Sequence, residues 1–313
     1  MTRFGLQLPN FSLGVPDTEL FERFAGLAVA GEESGFSSLW VMDHLYQLPA
    51  LGGEDEPMLE AYTLLGALAA RTTTAQLGTL VTGVTYRNPA LLAKQVTTLD
   101  VISGGRAILG IGAAWHDIEH VAFGFDYPSD RERLDRLEEA LQICRGMLTD
   151  DVTSFDGKYY RVAKVKNLPR PVRPGGIPIM VGGGGEKRTL KLVAQYADQC
   201  NVSGDLETVR HKLEVLRGHC DAVGRDPSEV TTTWMSSMFL VDTPEQAVET
   251  REMLVGLADE EFAAACTIGD DDSVVEQVAA LLGAGVQEPI FNMPFADAAT
   301  IRRAGALLTS AFG

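Results

Sequence analysis

A chain of 313 residues with 45% apolar and 22% charged side chains is long enough for one large buried core and reads as globular. Its net charge of −17, from 26 basic and 43 acidic residues, argues against a nucleic-acid or anionic-membrane surface, where a basic patch should dominate. No apolar run approaches the ~20 residues of a membrane span. No signal-peptide pattern opens the sequence, and the four cysteines form no CxxC pair, so free thiols in a cytoplasmic protein are expected.

Taken in order, residues 3–9 predict a first strand, stopped by Pro9-Asn10. Asp17 to Ser34 predicts a helix capped by Asp17 or Thr18 and closed by Gly35. Ser38 to Met42 is a second strand, with Asp43-His44 directly after it, and a helix follows over about 58–71. The stretch from Leu77 to Trp115 organises the rest. Residues 76–82 are short, β-branched and apolar, as a buried strand should be. Asn88-Pro89 opens a helix at the one position where the missing N–H of proline does little harm. Ser103-Gly104-Gly105 ends that helix, and residues 107–112 form another apolar strand. Strand, helix and strand in this order make a βαβ unit, hence a parallel sheet buried on both faces.

Asp130 to Leu148 is a charged amphipathic helix. Residues 149–178 break the rhythm with an Asp-Gly hairpin over 153–162 and a run rich in Pro and Arg. Their aromatic content suggests an insertion lying over the barrel mouth or packing on a partner subunit. Strands are then expected at 177–181, 199–203, 230–241 and 288–293, separated by helices, with a last helix over about 298–311. Eight strands alternating with helices predict a single (β/α)8 barrel spanning 1–313. A doubly wound sheet is the rival, but its G-x-G-x-x-G fingerprint does not follow the first strand.

In such a barrel the chemistry lies beyond the carboxyl ends of the strands. Gly182, Gly183, Gly184 and Gly185 precede a helix, where backbone N–H groups make an anion site to which Lys187 or Arg188 could add charge. The alternative is a tight glycine turn without a ligand. His44 could exchange a proton near neutral pH, or simply bond a loop carbonyl. Trp115 offers a flat surface for stacking on a ring, or packs in the core. His116 and His120 stand one helical turn apart but have no third ligand. They are expected on a solvated helix face, and no metal site is expected.

Together WVMDH (40–44), LGTLVTGVTYRNPALLAKQVTTLDVISGGR (77–106), LGIGAAW (109–115) and IMVGGGGEKRTLKLVAQYAD (179–198) resemble the luciferase-like monooxygenase superfamily over nearly the whole chain. GGGGEKRTL is similar to the branch that uses coenzyme F420, an 8-hydroxy-5-deazaflavin. The resemblance implies a bacterial luciferase-like (β/α)8 barrel, commonly a homodimer, that moves a hydride between the deazaflavin C5 and a small organic substrate. Two other readings remain: a flavin mononucleotide (FMN) monooxygenase, and a protein that binds the cofactor without turnover. By position, His44 matches a histidine beside C5, and Asp43 and Trp115 are expected to contact the cofactor. Leu80-Val81 matches a non-prolyl cis peptide behind the ring, and Gly182 to Gly185 match a phosphate loop. Thr82 and Gly83, further along the same strand end, are expected beside the cofactor. Asn10, Trp115 and Asn292 are candidates for substrate contact. The resemblance also implies that sugar-phosphate dehydrogenases of this branch carry a glutamate after the fourth strand, a slot that Trp115 or a neighbour takes here.

Overall fold

The short apolar runs of the sequence close into one parallel barrel in the computed structural model, which describes residues 2–313. Its strands are β1 (Gly5–Gln7), β2 (Ser38–Val41), β3 (Gln76–Thr79), β4 (Ala107–Gly112), β5 (Ile179–Gly182), β6 (Gln199–Val202), β7 (Thr231–Leu240) and β8 (Glu288–Asn292). Each pairs with the next in sequence, and β8 pairs with β1, so no edge is left exposed. The inside is filled by Trp40, Ile108, Met180 and Ile290, all buried. At the amino-terminal end of the barrel a polar plug runs from Trp40 Nε1 to Ser38 Oγ (2.8 Å) and on to Glu288 (2.7 Å), which also meets Arg3 at 3.1 Å. That end is sealed, so ligands must enter from the other.

The surrounding helices used below are α1 (Asp17–Glu33), α2 (Ala61–Ala69), α3 (Pro89–Ser103), α4 (Asp117–Phe123), α5 (Asp130–Thr149), α6 (Thr189–Tyr196), α7 (Leu206–Val223), α8 (Pro244–Leu257), α9 (Glu260–Ala265), α10 (Asp271–Gly283) and α11 (Ala298–Phe312). Their starts follow the expected chemistry. Asn88 Oδ1 accepts the Ala90 N–H at 2.9 Å with Pro89 next to it, and Asp205 Oδ1 accepts the Thr208 N–H at 2.9 Å. Strand β7 is longer than its neighbours, and beyond the barrel it pairs with a short strand at Thr267–Gly269. The length of β7 was expected from the sequence, whereas the short strand and α9 were not; the β7 extension and α9 build one wall of the site. No helix among the described residues is long and apolar enough to cross a membrane. All four cysteines are buried free thiols.

The segment 149–178 forms the expected hairpin, with strands Thr153–Asp156 and Arg161–Val165, but it does not lie over the mouth. The N–H groups of Lys158, Tyr159 and Tyr160 all donate to the Glu139 carboxylate of α5, at 2.7, 2.9 and 2.9 Å. Asn167 bonds Thr97 of α3, and Asp100 accepts the Val172 N–H. The chain therefore runs along the flank over α3 and α5. Its aromatic residues are accounted for there, with Phe155 and Tyr160 packed against the main core.

Candidate active site

Two adjoining cavities open at the carboxyl ends of the strands. The first is a cleft of about 340 Å³ running from His44 past Val81 and Gly112 to Gly183 and Thr189. The second is a chamber of about 500 Å³ on the β7–β8 side. Both are lined by His44, Leu80, Trp115, Ser203 and Met235, so the imidazole stands at their junction.

His44 is held from behind. Its Nδ1 lies 2.7 Å from Oε1 of Glu119, a side chain that is fully buried. Glu119 also accepts the Tyr86 hydroxyl and the backbone N–H groups of Leu45 (2.6 Å) and Tyr46 (3.2 Å). Burial alone would raise the pKa of this carboxyl. The bonds from His44, Tyr86 and Leu45 outweigh burial and hold it at about 2. Burial, followed by the Glu119 charge, pushes the Tyr86 phenol upward, so it stays a donor. An ionised Glu119 can only accept, so the His44 proton resides on Nδ1 and Nε2 is the nitrogen left for the cavities.

Glu119 has a measurable consequence. Its folded pKa of about 2 lies below the ordinary 4.5, so the carboxylate contributes stability at pH above 4.5 that is lost as pH falls through 2. The difference corresponds to roughly 3 kcal/mol. Glu119→Gln should be destabilised by about that amount at pH 7. Urea denaturation across acidic pH should show the gap to wild type closing below pH 4.5. A gap that does not change with pH would mean that Glu119 is not the low-titrating group.

Asp43 lines the cleft, but its Oδ2 is occupied by the wall itself, accepting the Gly83 N–H at 3.1 Å and Arg87 Nη1 at 2.7 Å. Arg87 also bonds Glu60 at 2.6 Å. Burial pushes the Asp43 carboxyl upward, against the pull of Arg87 and the Gly83 N–H.

The peptide Leu80–Val81 is cis, and Val81 projects between two strands whose glycines make room for it. A Cβ added at Gly112 would lie 2.8 Å from Val81 Cγ2, and one at Gly182 would lie 2.9 Å from both Val81 Cγ atoms. One wall of the cleft is thus nearly bare backbone with a single valine bulge. Gly83 lines the cleft as expected. Trp115 lines both cavities and is 61% exposed, so it does not pack in the core.

Other expectations are corrected. Thr82 is turned into the wall, where its hydroxyl bonds Tyr62 and Thr79, each at 2.7 Å, and it lines neither cavity. Asn10 Oδ1 accepts the Ser12 N–H at 2.9 Å, closing a turn away from both cavities. Of the four glycines, Gly182 and Gly183 line the cleft, whereas Gly184 and Gly185 face an outer groove with Lys187 and Lys212. Arg188 is drawn off to Asp135 of α5 at 2.6 Å, so it adds no charge to the loop. Helix α6 starts at Thr189, three residues later than expected from Glu186. His116 and His120 are not on a solvated face. Both are buried, and His120 bonds Thr85 Oγ1 and the His116 carbonyl oxygen, each at 2.6 Å. Asn292 does line the chamber, where Gln7 joins it. Among the described residues no group of three His, Cys, Asp or Glu is placed to hold a metal.

Comparison with known proteins agrees with this architecture. The sequence profile of luciferase-like monooxygenases matches residues 2–258. The chain belongs to the luciferase-like monooxygenase family. Among its relatives, the F420-dependent glucose-6-phosphate dehydrogenase of Nakamurella multipartita is 31% identical over 301 residues, covering 87% of each chain. The enzyme of the same name from Nocardia farcinica is 30% identical over 307 residues, covering 87% of this chain and 88% of that one. Two solved structures share the fold across the chain. The coenzyme F420 dependent tetrahydromethanopterin reductase of Methanopyrus kandleri has a TM-score of 0.81 at 20% identity, covering 100% of this chain and 99% of that one. An F420-dependent secondary alcohol dehydrogenase has a TM-score of 0.82 at 20% identity, covering 99% and 100%.

Glu119, Tyr86 and Gln7 escaped the sequence reading, although two of them left a trace. Glu119 falls four residues after Trp115, the spacing at which a helix starting from a strand end brings a side chain back to the mouth. Gln7 interrupts an apolar first strand, and a buried amide there must have a purpose. Tyr86 had no such signal.

Proposed function

We propose that this protein is a coenzyme F420-dependent oxidoreductase that moves a hydride between the deazaflavin C5 and an organic substrate. The observation that carries the reading is the placement of His44, braced by Glu119, at the junction of a cleft and a chamber. The F420-dependent relatives support it. The cleft fits such a cofactor. Gly112 and Gly182 leave flat backbone on either side of Val81, a surface on which a planar ring can lie where any Cβ would intrude. Gly183 and Thr189 border the far end at the start of α6, where the Leu190 N–H already donates to the Gly185 carbonyl oxygen at 3.0 Å and the Thr189 N–H has no helical partner and suits a phosphate.

When bound, F420 supplies a ring carbon that takes up or gives a hydride. The chain does the rest. Val81 and the glycines position the ring. Glu119 fixes the His44 tautomer so that Nε2 takes or returns the proton that accompanies the hydride. Trp115, spanning both cavities, shields the reacting atoms from water.

FMN also carries a planar ring and a phosphate, so calorimetric titration of the purified protein with each cofactor tests the proposal. F420 should bind at least about tenfold more tightly than FMN. Tighter FMN binding, with oxygen consumed in the presence of reduced FMN, would replace the proposal with a monooxygenase. Tight F420 binding without reduction by any donor would leave a cofactor carrier.

A further inference from the structure

The chamber beyond the cofactor cleft has properties that define its occupant. At about 500 Å³ it lies within the ~300–1,000 Å³ usual for small-molecule sites. Among the described residues that line it there is no lysine or arginine. The ionisable ones are His44, Asp259 and Glu261, and Asp259 caps α9 by accepting the Phe262 N–H at 2.7 Å. An anionic substrate would meet two carboxylates and no fixed counter-charge, and burying an unpaired charge is strongly unfavourable.

Much of the lining is apolar. Leu257, Phe262 and Phe295 are 47%, 41% and 55% exposed and face this space, where an apolar ligand would cover them. Against this background two polar atoms stand out. Gln7 is 2% exposed, and its Nε2 donates to the Leu80 carbonyl oxygen at 3.2 Å, but its Oε1 has no partner. Asn292 Oδ1 is likewise buried without a partner. Both oxygens are closed off from the chamber, so its ligand meets a largely apolar surface.

We infer that the chamber takes an uncharged, mainly apolar small molecule, and not a phosphorylated sugar of the kind named for the relatives. The inference rests on reading His44 as the junction between cofactor and substrate. The β7 extension and the α8–α9 turn enclose the apolar body.

The test uses the full-length protein without cofactor and straight-chain 1-alcohols from butanol to octanol. Of the three tryptophans, Trp40 and Trp234 are buried, so a change in tryptophan fluorescence on binding reports on Trp115. Affinity should rise about fourfold with each added CH₂, the equivalent of ~0.8 kcal/mol. Glucose 6-phosphate should leave the signal unchanged and should not displace 1-octanol. Leu257→Lys, at an exposed position that folding does not depend on, should weaken 1-octanol at least about tenfold. Affinity that is flat with chain length, glucose 6-phosphate binding tighter than 1-octanol, or an unaffected Leu257→Lys variant would overturn the inference. Because the alcohols are titrated without cofactor, a failure of F420 to bind would overturn the proposed function and leave this result standing.

Discussion

His44→Ala is expected to lower turnover by at least ~100-fold, the smaller end of what a positioned acid or base contributes. Cofactor affinity should be nearly unchanged, because Val81, Gly182 and Gly183 are untouched. The fold should survive the change. Glu119 would lose one of its donors but keep the Tyr86 hydroxyl and the N–H groups of Leu45 and Tyr46, so the buried carboxylate stays satisfied. His44→Asn separates two roles, since asparagine hydrogen-bonds but does not titrate. If the imidazole transfers the proton, the Asn variant should be nearly as slow as the Ala variant. An Asn variant that keeps most of the rate would make His44 a substrate-positioning group. A fully active Ala variant would remove it from the mechanism. The measurement is kcat under saturating cofactor, with the dissociation constant taken separately.

The barrel was legible because its strands are buried on both faces and read as continuous apolar runs, with Pro89 and Gly104 punctuating the helix between β3 and β4. His44, Gly83 and Trp115 could be placed at the cavities because they end or follow strands, and position in a barrel fixes which end they face, whereas Leu80 and Val81 were expected only through the family resemblance. What the pattern could not supply was the direction of side chains in the irregular stretch after β3. There Thr82 turns inward to a hydroxyl network with Tyr62 and Thr79, whereas its neighbours Val81 and Gly83 face the cleft. The insertion misled for a related reason. Aromatic residues in a long loop point to burial but do not say against what, and Glu139, which anchors three N–H groups of the hairpin, lies on a helix that reads as ordinary. The α9 turn carried no signal because its six residues are too few for a period to show. It therefore hid one wall of the second chamber.

The wall of the cleft makes the other large prediction. Gly184 is a poor target because it faces the outer groove, and Gly183 has a φ of +120°, so any side chain there strains the backbone whatever it does to the ligand. Gly182 is the clean position. One added methyl would sit 2.9 Å from both Val81 Cγ atoms, a distance that forces movement. On its other side Val81 already fills the room that Gly112 leaves, its Cγ2 lying 2.8 Å from where a Cβ there would be, so the cleft is the open direction. The valine is therefore expected to advance into the cleft, onto the surface proposed for the ring. Gly182→Ala should weaken F420 binding at least about tenfold, equivalent to ~1.4 kcal/mol. It should also lower stability by about 1–3 kcal/mol, as overpacking does. Val81→Ala in the same chain removes both colliding methyl groups and should restore much of the stability. The two changes share one contact, so their effects should be far from additive. Calorimetric titration of the single and double variants measures the coupling. Additive losses would mean that Val81 does not define the floor of the cofactor site, and the cleft would then need another account of how a flat ring is seated.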